Sequence, residues 1–427
     1  MKTIYLKNKV DVGEKLLGTF LDDSHYDILI QEDCDVYKPI PATDKNPNLE
    51  DYLLLKFRKG VFSSEMQETA YQSLREAAGE SQNRGIAAGP RTEKSTGRDW
   101  VTLLQEKVLE TLSGTMTTVT SDNPVDDMYV KYKSSTEAGS RGSVWLTQKR
   151  PKDFDFDVWA HSVKNLSPNE RLGEVEKIYD WISDTSYANP VNSGIAGYFD
   201  RYPRIPYCRT TSYSTNHNDK FEAAIPFIER ISDLFKELIP GRWKVQNTEV
   251  SKLDPSFRIG NSAYTTITVN KTYRTAAHRD AGDLKEGFGN LSVVSNGVPY
   301  TGAYLVFPEF RAAVDVQPGD VIMMDVHEVH GNTPIGGEGE RISVVCYMRE
   351  KMADCKTKAY EDARYNFVEN RRLNNKHPLW HERWNGVSKG MWETEEWYKY
   401  LVDNGLHEYA AQIETAVYGA KSGVLDI

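Results

Sequence analysis

The fold is decided between Ala277 and Tyr347. This stretch opens on Ala277-His278-Arg279-Asp280-Ala281-Gly282-Asp283 and turns at Pro318-Gly319-Asp320. It then reaches His327-Glu328-Val329-His330-Gly331 and closes on Arg341-Ile342-Ser343-Val344-Val345-Cys346-Tyr347. Between these polar marks lie short β-rich runs: Leu291-Ser292-Val293-Val294-Ser295, Gly302-Ala303-Tyr304-Leu305-Val306-Phe307, Ala313-Val314-Asp315-Val316 and Val321-Ile322-Met323-Met324-Asp325. Ser262 to Asn270 is a further run just ahead of the His-Arg-Asp. Short strands with Gly and Pro turns predict a sandwich or barrel. With its chemistry-bearing residues on strands and turns, the core is expected to be a double-stranded β-helix (jelly-roll, cupin-type). Flanking helices and a C-terminal helical layer would make the whole chain α+β.

His278 and Asp280, separated by one residue, face the same side of a strand or its end. A later His completes a two-His, one-carboxylate set, which fixes iron(II) on one face and leaves positions open on the other. Either His327 or His330 is available for that role. His330 is preferred because Gly331 follows it and lets the chain bend toward the metal; His327 and Asp325 are then neighbours that orient the ligands. Arg341, in the next β-run, offers a two-bond fork for the distal carboxylate of a dicarboxylate, and Ser343 faces the same way. Together these residues predict Fe(II) with 2-oxoglutarate as co-substrate and O2 as oxidant, 2-oxoglutarate being decarboxylated to succinate.

The motifs His278-Arg279-Asp280-Ala281-Gly282-Asp283, Pro318-Gly319-Asp320-Val321, His327 to Asn332 and Arg341 to Val345 resemble the TET/J-binding-protein family of iron and 2-oxoglutarate dioxygenases. The likeness extends over about residues 190 to 350, including Ser193-Gly194-Ile195-Ala196-Gly197 and Cys208-Arg209, and is nearest the bacteriophage-type branch. The resemblance implies oxidation of the 5-methyl group of a pyrimidine in DNA. It places His278, Asp280 and His330 as iron ligands and Arg341 as the 2-oxoglutarate anchor. Asp283 falls where animal methylcytosine oxidases tend to carry an Asn that reaches the base. A carboxylate there accepts from cytosine N4 or thymine N3, so both bases stay open. The animal enzymes' cysteine-rich zinc region is absent, which fits a prokaryotic or viral enzyme. A duplex substrate requires base flipping. Arg204 and Tyr207, in the aromatic and Arg-rich run Arg201 to Arg209, are candidates to fill the gap, as is Tyr202.

At 427 residues the chain has ample length for a buried core. A net charge of −10 argues against a general nucleic-acid coat but leaves room for a local basic groove, for which Lys149-Arg150-Pro151-Lys152 and Arg371-Arg372 are further candidates. The four cysteines (Cys34, Cys208, Cys346, Cys355) form no C-x-x-C or zinc spacing and are expected to be reduced, without disulfides. No apolar run is long enough for a membrane span, and the first residues lack a signal-peptide core. The protein is expected to be intracellular, in the host cytoplasm if phage-encoded, and not secreted. No obligate protein partner is evident.

Four regions are expected. Residues 1–120 form an N-terminal support of strands (Leu16 to Phe20, Tyr26 to Ile30, Tyr52 to Phe57) and a helix from Ser64 to about Ala78. Residues 121–189 are an insertion or accessory region with a loop at Ser134 to Gly142 and a helix at Leu172 to Ser183. Residues 190–352 are the dioxygenase core, whose helix from Asp219 ends at Pro240-Gly241. Residues 353–427 are helical, from Lys356 to Asn374 and from Glu395 to Val417, with clustered tryptophans packed on the sheet. Two other functions compete: a jelly-roll dioxygenase on a protein side chain or small molecule, which the acidic charge favours, and a catalytically silent DNA-binding module, which the intact ligand set disfavours.

Overall fold

Side chains alternate inward and outward along the strands of residues 266–347, and that alternation closes two sheets over one interior. The computed structural model describes residues 1–81, 84–90, 189–201, 205–373 and 392–422, with short stretches between 116 and 183. Residues 1–81 and 191–427 make one compact unit, residues 82–190 another.

In the first unit the larger sheet runs β1 (Lys2–Tyr5), β3 (Cys34–Tyr37), β4 (Leu53–Arg58), β17 (Val321–Met324), β13 (Gly289–Ser295), β20 (Arg341–Tyr347), β12 (Thr266–Lys271), β10 (Val191–Phe199), β11 (Arg209–Thr210). β5 (Glu80–Ser81) pairs with the start of β10. The smaller sheet is β18 (Gly331–Asn332), β15 (Leu305–Phe307), β16 (Ala312–Val314) and β2 (Ile28–Ile30). β14 (Tyr300–Gly302) and β19 (Ile335–Gly337) form a ribbon of their own. This is the expected jelly-roll core. The N-terminal region is woven into it: Phe57 of β4 pairs antiparallel with Ile322 of β17, and Leu29 of β2 pairs parallel with Ala313 of β16.

The interior is filled by Leu55, Phe57, Leu291, Val293, Ile322 and Met324 from the larger sheet against Leu305, Phe307 and Val314 from the smaller. Each such side chain contributes about 1.5–3 kcal/mol of burial free energy. On the outer face, Ile267, Val269, Ile342, Val344 and Cys346 meet Leu74 of the helix Ser64–Leu74 and Phe227, Ile231 and Phe235 of the helix Asn218–Leu238. Along the latter helix Phe221, Ala224, Phe227, Ile228, Ile231, Leu234 and Phe235 recur at helical spacing and are buried, whereas Pro226 is exposed.

Several expectations are corrected. Leu16 to Phe20 is not a strand. Gly13–Leu16 is a single helical turn, and Gly18 and Thr19 then run beside Ala277. Pro240 does not merely end a helix but opens the next, Pro240–Ser251, at a position where its missing N–H has no partner to lose. The last helical stretch breaks at Asn404-Gly405, with Gly405 at φ 73°, into Glu395–Asp403 and His407–Ser422. Of the clustered tryptophans, Trp380 and Trp384 lie outside the described residues, and Trp397 does not pack on the sheet. Trp397, Tyr360 and Phe367 form a separate core with Tyr207 and Ile205. Nor are all thiols free: Cys208 and Cys355, 147 residues apart in sequence, form a disulfide with Cα atoms 5.9 Å apart, while Cys34 and Cys346 are free and buried. Only the fold brings that pair together, so spacing could not reveal it.

The second unit holds an antiparallel sheet of β6 (Met116–Val119), β7 (Met128–Tyr132), β8 (Gly142–Leu146) and β9 (Ile182–Ser183). The expected loop and helix of this region lie largely outside the described residues, except that Ile182–Ser183 is a strand. Among the described residues no helix is long and apolar enough to cross a membrane.

Candidate active site

β20 sets the axis of the site. Ile342, Val344 and Cys346 point to the helices, so Arg341, Ser343, Val345 and Tyr347 face the interior. The neighbouring strand β12 places Asn270 opposite Ser343 and Thr266 opposite Tyr347. Ser193 Oγ donates to Asn270 Oδ1 (2.5 Å), and Asn270 Nδ2 donates to Ser343 Oγ (3.4 Å). One end of the interior is therefore polar while the other is packed with hydrocarbon.

His278 and His330 meet at this polar end as backbone partners, each amide donating to the other's carbonyl at 2.9 Å. Their rings lie 4.5 Å apart. His278 Nε2 is 3.3 Å from Asp280 Oδ1, and His330 Nε2 is 3.9 Å from Asp280 Oδ2. One ligand atom from each of the three side chains lies within 4.8 Å of the others. His278 Nδ1 donates to the Ala276 carbonyl (2.7 Å) and His330 Nδ1 to the Glu328 carbonyl (2.9 Å), because a carbonyl can only accept. Both rings are thereby turned with Nε2 toward the shared point.

The site electrostatics suit a cation. Burial and the neighbouring His278 bring His330 down to about 4, so its imidazole is neutral and free to coordinate. Burial would also lower His278, but Asp280 beside it raises it overall. His327 stands outside the cluster, with its buried Nε2 unpartnered. Asp325 bonds to Lys38 Nζ (2.7 Å) and to the His327 amide, not to a ligand ring. Gly331 follows His330 for a reason other than bending: a Cβ there would lie 3.0 Å from the backbone of Ala276 and Ala277, so a larger residue would push the two histidine-bearing chains apart by a few tenths of an ångström.

Arg341 is 4% exposed, and among the described residues its guanidinium forms no ion pair. The Tyr300 hydroxyl lies against this guanidinium, yet among the described residues neither it nor Arg341 Nε makes a well-formed hydrogen bond. A buried cation without a counter-charge costs several kcal/mol, on the order of the 3–5 kcal/mol lost when a buried pair is broken. An anion bound there would remove that cost. Tyr300 was missed by sequence reasoning, since it reaches Arg341 only through the β14–β19 ribbon.

Asp283 lies on the other flank. Gly282 (φ 91°) turns the chain so that Asp283 pairs by backbone with Arg349. Among the described residues its carboxylate accepts no hydrogen bond. Burial first, and Asp280 second, push it well above the usual carboxylate range, with Arg349 pulling the other way. Arg349, also missed from sequence, lies 3.9 Å over the Phe199 ring and donates from Nε to Asp200 (2.6 Å). Tyr207 is 9% exposed and packs edge-on to Tyr365 within the C-terminal core, away from this cluster. Arg204 and Tyr202 lie outside the described residues, as do Lys149, Arg150 and Lys152.

Residues 194–350, which include His278, Asp280, Asp283, Tyr300, His330, Arg341, Ser343 and Arg349, match the family model Tet_JBP, described as the oxygenase domain of the 2OGFeDO superfamily. Over this stretch the chain is similar to Tet/JBP oxygenase domains. The thymine dioxygenase JBP1 of Trypanosoma brucei brucei is 35% identical over 171 residues, which are 38% of this chain and 20% of that protein. Its counterpart in Leishmania tarentolae is 33% identical over 173 residues, 39% of this chain and 20% of that protein. The chain thus spans about a fifth of the length of these relatives. Among solved structures, NgTET1 in complex with 5mC DNA is similar at 17% identity and a TM-score of 0.34, covering 66% of this chain and all of that one. The superfamily uses iron(II) and 2-oxoglutarate. The residues present fit both groups: a neutral His, a second His and an Asp converge within 4.8 Å, and the buried Arg341 guanidinium forms no ion pair among the described residues.

Proposed function

We propose that this chain is an Fe(II)/2-oxoglutarate-dependent dioxygenase that hydroxylates the 5-methyl group of a pyrimidine, 5-methylcytosine or thymine, in DNA. The observation that carries the reading is the pairing of the His278/Asp280/His330 triad with a buried Arg341 that forms no ion pair among the described residues. A monocation-binding or purely structural site would not keep such an arginine. The curated relatives named thymine dioxygenase and the DNA-bound TET protein support DNA as the substrate class.

His278, Asp280 and His330 would hold iron, which supplies activation of O2 at the expense of 2-oxoglutarate. Arg341 would grip the co-substrate's distal carboxylate, with Ser343 on the same face of the strand. Apolar residues Phe307 and Val306 near His330 keep water from that side. Asp283, whose carboxyl accepts no hydrogen bond among the described residues, would meet the edge of the base, and Arg349 beside it would offer donors. The carboxylate can take a proton donor from cytosine N4 or thymine N3. Stacked on Phe199, the guanidinium keeps its orientation without a second carboxylate.

Incubation with iron(II), O2 and 2-oxoglutarate against methylated DNA, thymine-containing DNA, peptides and small metabolites tests the reading. Succinate should form in step with DNA. Turnover stimulated by a peptide or small molecule and not by DNA would favour the dioxygenase alternative, and no turnover with any substrate would favour a silent DNA-binding module.

A further inference from the structure

Part of what packs behind the two histidines, residues 9–21 with Lys38, lies outside the matched stretch 194–350. Val329 and Ala277, which immediately precede His330 and His278, sit in one apolar cluster with Leu21, and Leu16 and Leu17 pack against it. Leu21 is fully buried. Gly18 donates to the Ala277 carbonyl (2.8 Å), and Ala277 donates to the Thr19 carbonyl (2.8 Å), so the chain before His278 is held on its far edge. Arg274 Nη2 donates to the Leu21 carbonyl (2.7 Å), and the Val10 amide donates to the Glu309 carbonyl (2.7 Å).

Charge completes the contact. Lys9 Nζ is 2.6 Å from Glu328, whose own carbonyl orients His330, and 3.7 Å from Glu309. Lys38 reaches the same Glu328 carboxylate at 3.3 Å. Arg279, which lies between the ligands His278 and Asp280, is 2.7 Å from Glu14 and 3.6 Å from the buried Glu309. A segment that only covered hydrophobic surface would not bond to both ligand-bearing turns on backbone and side chain alike.

We infer that residues 9–21, together with Lys38, are a brace that positions His278 and His330 and thereby sets the metal affinity of the site. Lys9 and Lys38 act as positioning residues through Glu328, and Glu14 acts through Arg279. The inference rests on the metal reading above. Groups that orient ligands from outside the coordination shell typically change metal affinity about 10- to 100-fold when removed.

The test uses cobalt(II) titrated into the full chain and followed by its absorption, with thermal melting of the metal-free protein alongside. The double variant Lys9→Met/Lys38→Met should weaken cobalt binding about tenfold or more. Glu14→Gln, at an exposed side chain where folding is not at risk, should weaken it in the same direction. Lys9→Arg with Lys38→Arg should restore it. The control Lys2→Met removes a surface ion pair to Glu32 away from the site and should leave cobalt affinity at the wild-type value. Affinity in the double variant and in Glu14→Gln equal to wild type would overturn the brace. So would a loss shared equally by Lys2→Met, which would mark a general effect of charge. Wild-type protein that takes up no cobalt would overturn the metal reading and the brace with it.

Discussion

The hydroxyl of Tyr300 lies against the guanidinium of Arg341, both buried, and among the described residues neither that hydroxyl nor Arg341 Nε makes a well-formed hydrogen bond. Two donors left together in this way outline the seat of an anion, since each unsatisfied buried group costs about 1–3 kcal/mol.

Arg341→Lys should raise the apparent KM for 2-oxoglutarate about tenfold or more, because lysine loses the fork and with it about 1.5–3 kcal/mol of charge-assisted bonding. Tyr300→Phe should raise it by a smaller factor, about two- to tenfold, with the KM for DNA unchanged. Steady-state kinetics with 2-oxoglutarate varied at saturating DNA checks both. An unchanged KM in Arg341→Lys would place the carboxylate elsewhere.

His278→Ala, Asp280→Ala and His330→Ala should each abolish turnover and lower metal stoichiometry, whereas His327→Ala should keep measurable activity, its ring standing apart from the triad. Metal content by mass spectrometry alongside succinate formation separates the two histidines. A fully active His330→Ala variant would contradict the geometry.

Metal uptake should weaken as pH falls. Burial works to lower His278, but Asp280 raises it overall, so the metal-free site holds a proton there that the metal must displace. His330, brought down to about 4 by burial and by His278, adds no such competition near neutrality. Below the raised His278 value each pH unit should cost about tenfold in affinity. The sign reverses for the metal-free fold. A raised histidine contributes stability that is fully present below its unfolded value of about 6.5 and is lost as pH rises through the folded value. Cobalt titrations and apo-protein melts across this range check both directions. A pH-independent affinity would contradict the assignment of the proton to His278.

Asp283→Ala should lower kcat/KM on DNA about two- to tenfold, the loss of one hydrogen bond to the base, while DNA-independent consumption of 2-oxoglutarate persists. Asp283→Asn, which can donate as well as accept, should change the ratio of rates on 5-methylcytosine and thymine. Competition between the two bases in one reaction reads that ratio, and an unaltered ratio would remove Asp283 from base discrimination.

The ligand set was legible because its signal is local: His278 and Asp280 share a face by strand alternation, and Arg341 opens an apolar run whose period names its inward side. The helix Asn218–Leu238 was equally legible from its buried stripe. What sequence could not supply depends on long-range pairing. Arg349 matters because its backbone meets Asp283, and Tyr300 because a separate ribbon swings it to Arg341. Leu16 to Phe20 has β-rich composition, but tertiary packing behind Ala277 and Val329 decides its conformation. Tyr207 carried the composition of a nucleic-acid contact, yet the C-terminal aromatics cover it.

Nucleoside mass spectrometry of DNA after incubation with the wild-type chain, iron(II), O2 and 2-oxoglutarate tests the central claim most directly. The expected result is 5-hydroxymethylcytosine or 5-hydroxymethyluracil nucleoside, formed with succinate and absent with Asp280→Ala. Succinate formation with every DNA nucleoside unaltered would contradict the claim.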